Sequence, residues 1–378
     1  MKEVQKDRVA VLQRSLEAYL SSVFGEEVEV VYVGELGEEK KRQDWKKAKA
    51  DDLKGFGYGV PYLIVCSVGG RTKKIVLETM RTVGGFGHDH FSDRAGVLLW
   101  QHSAFNKLPN HVGSLDVGAF TRKHGLESLG NCTEFFVLTE FVEGSLYHED
   151  LDKLKMVHKL EFIDLERCRA LSDYLAKIHS LKNKQAGLYV RRVRDLVGHG
   201  ECIMGLMDSY PANVDFIGEE ELVNIEKMCV EWRWKLKQFT HRLAQVHGDF
   251  HPWNVLFHRN ADFTVLDRSR GEWGEPADDV SAMTINYLFY SLQTHGCLAR
   301  EFERIFNLFW ENYLDKTGDE EVLEVIPPFF AWRCLVVASP IWYPNLSVRV
   351  RTKLFNFIRN VLRAERFELK DVNSYFKL

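Results

Sequence analysis

Apolar residues recur at helical spacing early in the chain. Val9, Val11, Leu12, Leu16, Tyr19, Leu20 and Val23 share one face of residues 4–23, and Gly25 stops the helix they predict. Residues 28–33 alternate as a strand. The charged segment 38–53 reads as a short helix or a loop. Two more strands, 62–66 and 74–78, flank a turn at Gly69-Gly70, and 91–105 reads as a helix carrying Asp93, Arg94, Leu98, Leu99 and Trp100. Residues 134–139 predict a strand that runs into a turn at Glu143-Gly144. Beyond that point helical periodicity dominates, over 165–179, 219–243, 279–292, 301–313, 327–338 and 349–362, while 189–209 has no clear period. The exception is a pair of short apolar runs, 255–257 and 263–266, joined by the polar turn 258–262. The pattern predicts an α+β protein: a small antiparallel-sheet lobe with a leading helix over residues 1–140, and a mainly helical lobe over 141–378.

That hairpin follows the stretch with the most chemistry in the chain. Val246-His247-Gly248-Asp249-Phe250-His251-Pro252-Trp253-Asn254 sets Asp249 and Asn254 five residues apart, with Pro252 between them, which suits a rigid loop. Thr264-Val265-Leu266-Asp267 then puts a second carboxylate at a strand end. One carboxylate to orient a hydroxyl and accept its proton, with an amide and a carboxylate to hold Mg²⁺, is the set that phosphoryl transfer needs. Spacing alone equally allows a buried hairpin with turn-capping Asp and Asn.

Composition narrows the field. The 378 residues are 45% hydrophobic and 28% charged with a formal net charge of −4, enough for more than one core and no general case for nucleic-acid binding. No apolar run approaches the roughly 20 residues of a membrane span, and the N-terminus lacks the pattern of a signal peptide. Seven dispersed cysteines without metal-type pairing suit reduced thiols in a cytoplasmic protein. The basic run Lys40-Lys41-Arg42 is interleaved with acids and reads as a solvated insertion.

Gly55, Gly57 and Gly59 precede the strand 62–66. A glycine-rich loop opening an antiparallel hairpin is the phosphate-covering arrangement of protein kinases, whereas the dinucleotide fingerprint opens a helix. A flexible hairpin without a ligand fits the same residues. Gly84-Gly85-Phe86-Gly87-His88-Asp89-His90 brings two histidines into one loop, but no third ligand has suitable spacing, so a packing or substrate-side role is expected. The aromatic residues of the C-terminal helices are expected in the core, with Trp332, Trp342 and Tyr343 available to a ligand wall.

On the string His247-Gly248-Asp249-Phe250-His251-Pro252-Trp253-Asn254, the later Leu266-Asp267 and the run Gly274-Glu275-Pro276-Ala277-Asp278-Asp279, the chain resembles the aminoglycoside phosphotransferase family and its choline-, homoserine- and fructosamine-kinase-like relatives. The resemblance covers about Val30 to Leu362. It implies a two-lobed protein-kinase-like fold and transfer of phosphate from ATP or GTP, with Mg²⁺, to the hydroxyl of a small molecule. It implies Asp249 as the catalytic aspartate and Asn254 and Asp267 as the Mg²⁺ ligands. His247 would orient the loop, and Asp279 would cap the following helix and brace the catalytic loop. Glu140, Phe141 and Val142 match the hinge whose backbone binds the nucleotide base. No nucleic acid or membrane partner is implied, and the chain would act as a monomer or homodimer.

Two departures stand out. Glu78 falls where the family places its phosphate-pairing lysine, and Asp93-Arg94 falls where that lysine's acidic partner belongs. Three accounts are open: a swapped pair with Glu78 against Arg94 and Arg94 facing phosphate; a cation from Arg81, Lys73 or Lys74; or a chain that binds nucleotide or metabolite without transfer. The second departure is Asp267-Arg268-Ser269-Arg270. Arg268 and Arg270 either clamp a phosphate or an anionic substrate, or pair with Glu272, Glu275 or Asp278.

Overall fold

The computed structural model describes residues 14–35, 59–80, 87–107, 109–122 and 125–378. Gly55, Gly57, Arg81, the segment 38–53, residues 84–86 and the first part of the N-terminal helix lie outside them. The chain divides into two compact units, Met1–Thr139 and Glu140–Leu378, a small one with an antiparallel sheet and a larger, mostly helical one, as a protein-kinase-like fold requires.

In the first unit, residues 14–24 are helical. Strands β1 (Val28–Glu35), β2 (Gly59–Val68) and β3 (Arg71–Met80) form an antiparallel meander in the order β1-β2-β3. The turn between β2 and β3 uses Gly69 and Gly70, both at positive φ. Leu16 and Leu20 of the helix pack with Val28, Val30, Ile64, Cys66 and Val68, a small core drawn from one face of helix and sheet. The helix Phe91–Phe105 begins at His90, whose ring accepts from the Ser92 amide while Asp93 accepts from the His90 amide, a reciprocal cap. The strand expected over 134–139 does not form: the stretch carries β-prone residues but pairs with no ladder among the described residues. Glu140, Phe141 and Val142, expected to bind the nucleotide base, follow it in irregular backbone.

The second unit is helical around one large core. The helices Phe162–His179, Pro276–His295, Arg300–Thr317, Pro327–Ala338 and Val348–Arg363 appear within a few residues of their expected bounds. The stretch 189–209, unreadable by periodicity, folds into the helix Ala186–Gly198 and the short helix Ile203–Asp208. The long helix ends at Leu236, earlier than expected, and the chain turns through Thr240–Arg242. The predicted hairpin forms from Val255–Phe257 and Phe263–Val265, with Ser145–Leu146 as a third, antiparallel strand. Gly144 enters that strand so close to the hairpin that an added Cβ would lie 2.5 Å from the Phe257 carbonyl oxygen.

A buried ion-pair network ties this unit together. Arg242 donates to Glu275 at 2.8 Å and to Asp319 at 2.6 Å, and Tyr189 donates to Glu275 at 2.8 Å. No helix of the described residues is long and apolar enough to cross a membrane. All seven cysteines are unpaired.

Candidate active site

The loop between Ala244–Gln245 and Val255–Phe257 carries the candidate residues, and the helix Pro276–His295 holds it in place. Asp279, fully buried, accepts from the backbone amides of His247 and Gly248, each at 2.7 Å. It also contacts His179 Nε2 at 3.1 Å. Burial alone would raise its pKa, but the hydrogen bond and charge of His179 hold its carboxyl below the ordinary value. The bracing role expected of Asp279 is visible, but the helix cap is not its work. The cap is Glu275, which accepts from the Ala277 amide, with Pro276 at the first helical position.

His247 is buried, and burial pushes its imidazole pKa down. Its Nδ1 accepts from the Asp249 amide at 3.3 Å, so the ring orients the loop as a neutral group. Gly248 has φ +85°, and a Cβ there would come within 3.2 Å of Arg270 Cβ. Pro252 opens a 3₁₀ turn, Pro252–Asn254, after His251. Phe250 is buried and stacks on Tyr174.

Three groups surround the Asp249 carboxylate. Arg333 Nη1 donates to Oδ1 at 2.5 Å, His251 Nε2 lies 3.6 Å from Oδ2, and Arg270 Nη2 lies 4.0 Å from Oδ2. Burial works against ionisation of Asp249, yet Arg333, then His251 and Arg270, hold its carboxyl well below the usual carboxylate range. Asp249 is therefore an anion across the physiological range. Arg333 also donates to the Gly248 carbonyl at 3.1 Å and to Asp278. The Trp332 ring lies under both guanidiniums, 3.8 Å from Arg333 and 4.6 Å from Arg270. Arg333 is absent from the sequence-based set. The signal for it was one arginine in the apolar run Pro327–Ala338, since a charge buried there requires a partner.

Asn254 and Asp267 are brought together by backbone. The Leu266 amide donates to the Asn254 carbonyl at 2.8 Å, joining the loop to the end of the hairpin. Asn254 Nδ2 donates to the Asp249 carbonyl at 3.0 Å, which directs that amide nitrogen inward. Asp267 has φ +52°, a left-handed conformation that costs most residues energy and that Asp tolerates. Its carboxylate is exposed and accepts no hydrogen bond among the described residues. An oxygen-only donor set with one unneutralised carboxylate has the chemistry of a Mg²⁺ site.

The arginines after Asp267 separate in role. Arg268 donates to the Val246 carbonyl at 2.7 and 3.0 Å and to the Glu272 carbonyl at 3.1 Å. It staples backbone and pairs with none of the expected carboxylates among the described residues. Arg270 faces Asp249 and Glu201, and its Nε and Nη1 are buried without a hydrogen-bond partner.

In the first unit the swapped pair does not form. Glu78 is exposed on β3 opposite Pro61, and Arg94 Nη1 donates at 2.8 Å to the carbonyls of both His88 and Asp89. The geometry of the helix start explains this, because Arg94 closes the loop that leads into its own helix. Lys73 lies over the Phe24 ring at 4.3 Å. Gly59 opens β2.

A cavity of about 430 Å³ lies in the second unit, lined by Lys155, Phe289, Gln293, Trp342 and Tyr343 among others. An aromatic series leads from it to the loop: Tyr343 to Trp253 at 6.4 Å, and Trp253 to His251 at 5.9 Å. Trp253 also stacks on His148 at 4.9 Å. Trp342 and Tyr343 thus line a cavity, and Trp332 instead supports the arginines.

Comparison with known proteins adds the family. No curated protein matches the chain by sequence. Solved structures of similar fold include an ethanolamine kinase from Plasmodium vivax, at 13% identity over 84% of this chain and 77% of that one, with a TM-score of 0.34. An amicoumacin kinase in complex with AMP-PNP, Ca²⁺ and Ami matches at 13% over 89% and 97%, with a TM-score of 0.39. A macrolide 2'-phosphotransferase from Brachybacterium faecium matches at 12% over 89% and 96%, with a TM-score of 0.31. The model of the phosphotransferase enzyme family matches residues 119–309, about half of the chain, which takes in the Asp249 loop, the Asp267 strand end and the Asp279 brace. This chain therefore belongs to the phosphotransferase enzyme family.

Proposed function

We propose that the protein transfers the terminal phosphate of ATP or GTP to a hydroxyl of a small molecule. The observation that carries this reading is the Asp249 carboxylate, kept ionised by Arg333 and fixed on a braced loop whose backbone also ties Asn254 to the Asp267 strand end. Asp249 accepts a hydrogen bond from the acceptor hydroxyl and orients its oxygen for in-line attack. A carboxylate so well satisfied is a weak base, and this suits a loose transition state in which the proton leaves late. Asn254 and Asp267 hold Mg²⁺; when bound, the ion neutralises charge on the β and γ phosphates. Arg270, with unpartnered donors beside Asp249, binds the transferring phosphate or an anionic group of the acceptor. The backbone of Glu140, Phe141 and Val142 takes the nucleotide base. The acceptor enters the cavity lined by Tyr343, Trp342 and Lys155, whose mixed aromatic and polar wall suits a small polar molecule.

The test is turnover of ATP and GTP with Mg²⁺ across a panel of hydroxyl metabolites, for the wild type and Asp249→Asn. The expected result is transfer to at least one acceptor by the wild type. The variant should lose about 10²- to 10⁴-fold in kcat and keep its nucleotide affinity. A second reading has its own support: Glu78, where a lysine would pair phosphate, is exposed on β3 opposite Pro61. Nucleotide binding by the wild type with no transfer to any acceptor establishes that reading, a binding protein with a kinase fold.

A further inference from the structure

Two helix ends and one helix start converge far from Asp249. His158 follows the helix Tyr147–Val157, His295 closes the helix Pro276–His295, and Glu301 lies in the first turn of Arg300–Thr317. His158 Nδ1 is 3.1 Å and His295 Nε2 is 2.9 Å from the same oxygen, Glu301 Oε1. The three ligand atoms lie within 4.8 Å of one another, and among the described residues no other trio of His, Cys, Asp or Glu meets that condition. Glu301 is buried, whereas the His158 side chain is 45% exposed, so the cluster opens to solvent on one side.

The spacing suits a metal ion. A four-coordinate zinc with bonds of about 2.0–2.2 Å holds its ligand atoms about 3.3 Å apart. The two histidine–carboxylate separations are within a few tenths of an ångström of that value, and the histidine nitrogens lie within 4.8 Å of each other. Two imidazoles and a carboxylate leave a fourth position for water, on the side where His158 meets solvent. The set is also of a different kind from Asn254 and Asp267, whose oxygens suit a hard cation. It is a separate site, because His295 lies sixteen residues beyond Asp279 on one helix, about 24 Å along its axis. His158 stands at φ +56°, a helix-ending position that glycine or asparagine fills at less cost. The backbone strain is thus accepted where the imidazole reaches Glu301.

We propose that His158, His295 and Glu301 form a site for a borderline divalent cation, with Zn²⁺ as its natural occupant. The metal pins the ends of two helices that line the cavity: Lys155 is three residues before His158, and Gln293 two before His295. Its role is to fix that wall, and it takes no part in the chemical step itself.

The test titrates the full chain with ZnCl₂ in a calorimeter, with Mg²⁺ in excess to occupy oxygen sites, and records visible absorption with Co²⁺ as the probe. The wild type should bind one zinc per chain with micromolar or tighter affinity and show the Co²⁺ bands of a four-coordinate site. His158→Asn keeps a residue suited to positive φ and should weaken zinc at least about tenfold; Glu301→Gln should abolish the Co²⁺ bands. A wild type that takes up no stoichiometric zinc overturns the proposal, and the three residues are then a hydrogen-bonded helix tie. Unchanged affinity and spectrum in both variants overturn it equally, since zinc then binds elsewhere.

Discussion

Asp278 offers a quantitative test of the electrostatics around the candidate site. It is 17% exposed, accepts from Arg333 and is followed by the buried Asp279. Burial, with a smaller push from Asp279, raises its carboxyl to about 6 although Arg333 pulls the other way. The folded protein therefore holds this proton more tightly than the unfolded chain, where the group titrates near 3.8. As pH rises from about 4, the unfolded chain releases the proton first and stability falls. Above about 6 both forms are ionised and the full penalty, about 3 kcal/mol, is present. Asp278→Asn removes the titration and keeps an oxygen acceptor for Arg333. In urea unfolding at pH 4.5 and 7.5, the stability of the variant relative to the wild type should rise by about 2 kcal/mol at the higher pH. Parallel pH profiles for the two proteins would refute the reasoning, because the carboxyl would then titrate alike in both states.

Three further expectations follow from the same contacts. Asp279→Ala leaves the amides of His247 and Gly248 without an acceptor in a buried position, and should cost about 3 kcal/mol or more of unfolding free energy in denaturant titration; a loss under 1 kcal/mol would mean the loop is held by other contacts. Arg242→Ala strands the buried Glu275 carboxylate and should cost about 3–5 kcal/mol by the same measurement, whereas an unchanged midpoint would show that the network contributes nothing. Asp267→Asn, which retains a residue tolerant of positive φ, should weaken Mg²⁺-dependent nucleotide binding about tenfold or more by calorimetry; equal affinity would assign the metal to another ligand.

Much of this was legible in the sequence because it is local. The loop from His247 to Asn254 and the strand end at Asp267 lie within about one hairpin of each other, so order and spacing nearly determine their geometry. The helix Phe91–Phe105 has the bounds expected of it, and its reciprocal cap is formed by neighbouring residues, His90 to Asp93. The missed features are long-range or come from competition between partners. Arg333 is 84 residues from Asp249, and its helix is buried on almost every side, so it has no polar face to give its orientation away. Glu78 and Arg94 were plausible partners by charge, but charge does not choose between a distant carboxylate and two carbonyls in the adjoining loop, and the nearer pair won. Residues 134–139 show the same limit for strands, since β propensity without a neighbouring ladder makes no sheet.

The brace at Asp279 carries a consequence for motion. Loops ordinarily exchange their amide hydrogens quickly, because their backbone bonds open without disturbing anything else. The amides of His247 and Gly248 are instead held by a charged side chain rooted in Pro276–His295, a helix buried along most of its length. To release them, the loop or the Asp279 side chain must leave a fully buried contact, so these two hydrogens should exchange more slowly than those of an ordinary loop. The candidate catalytic aspartate is a loop residue by topology, and the two residues before it are anchored to the core of the second unit.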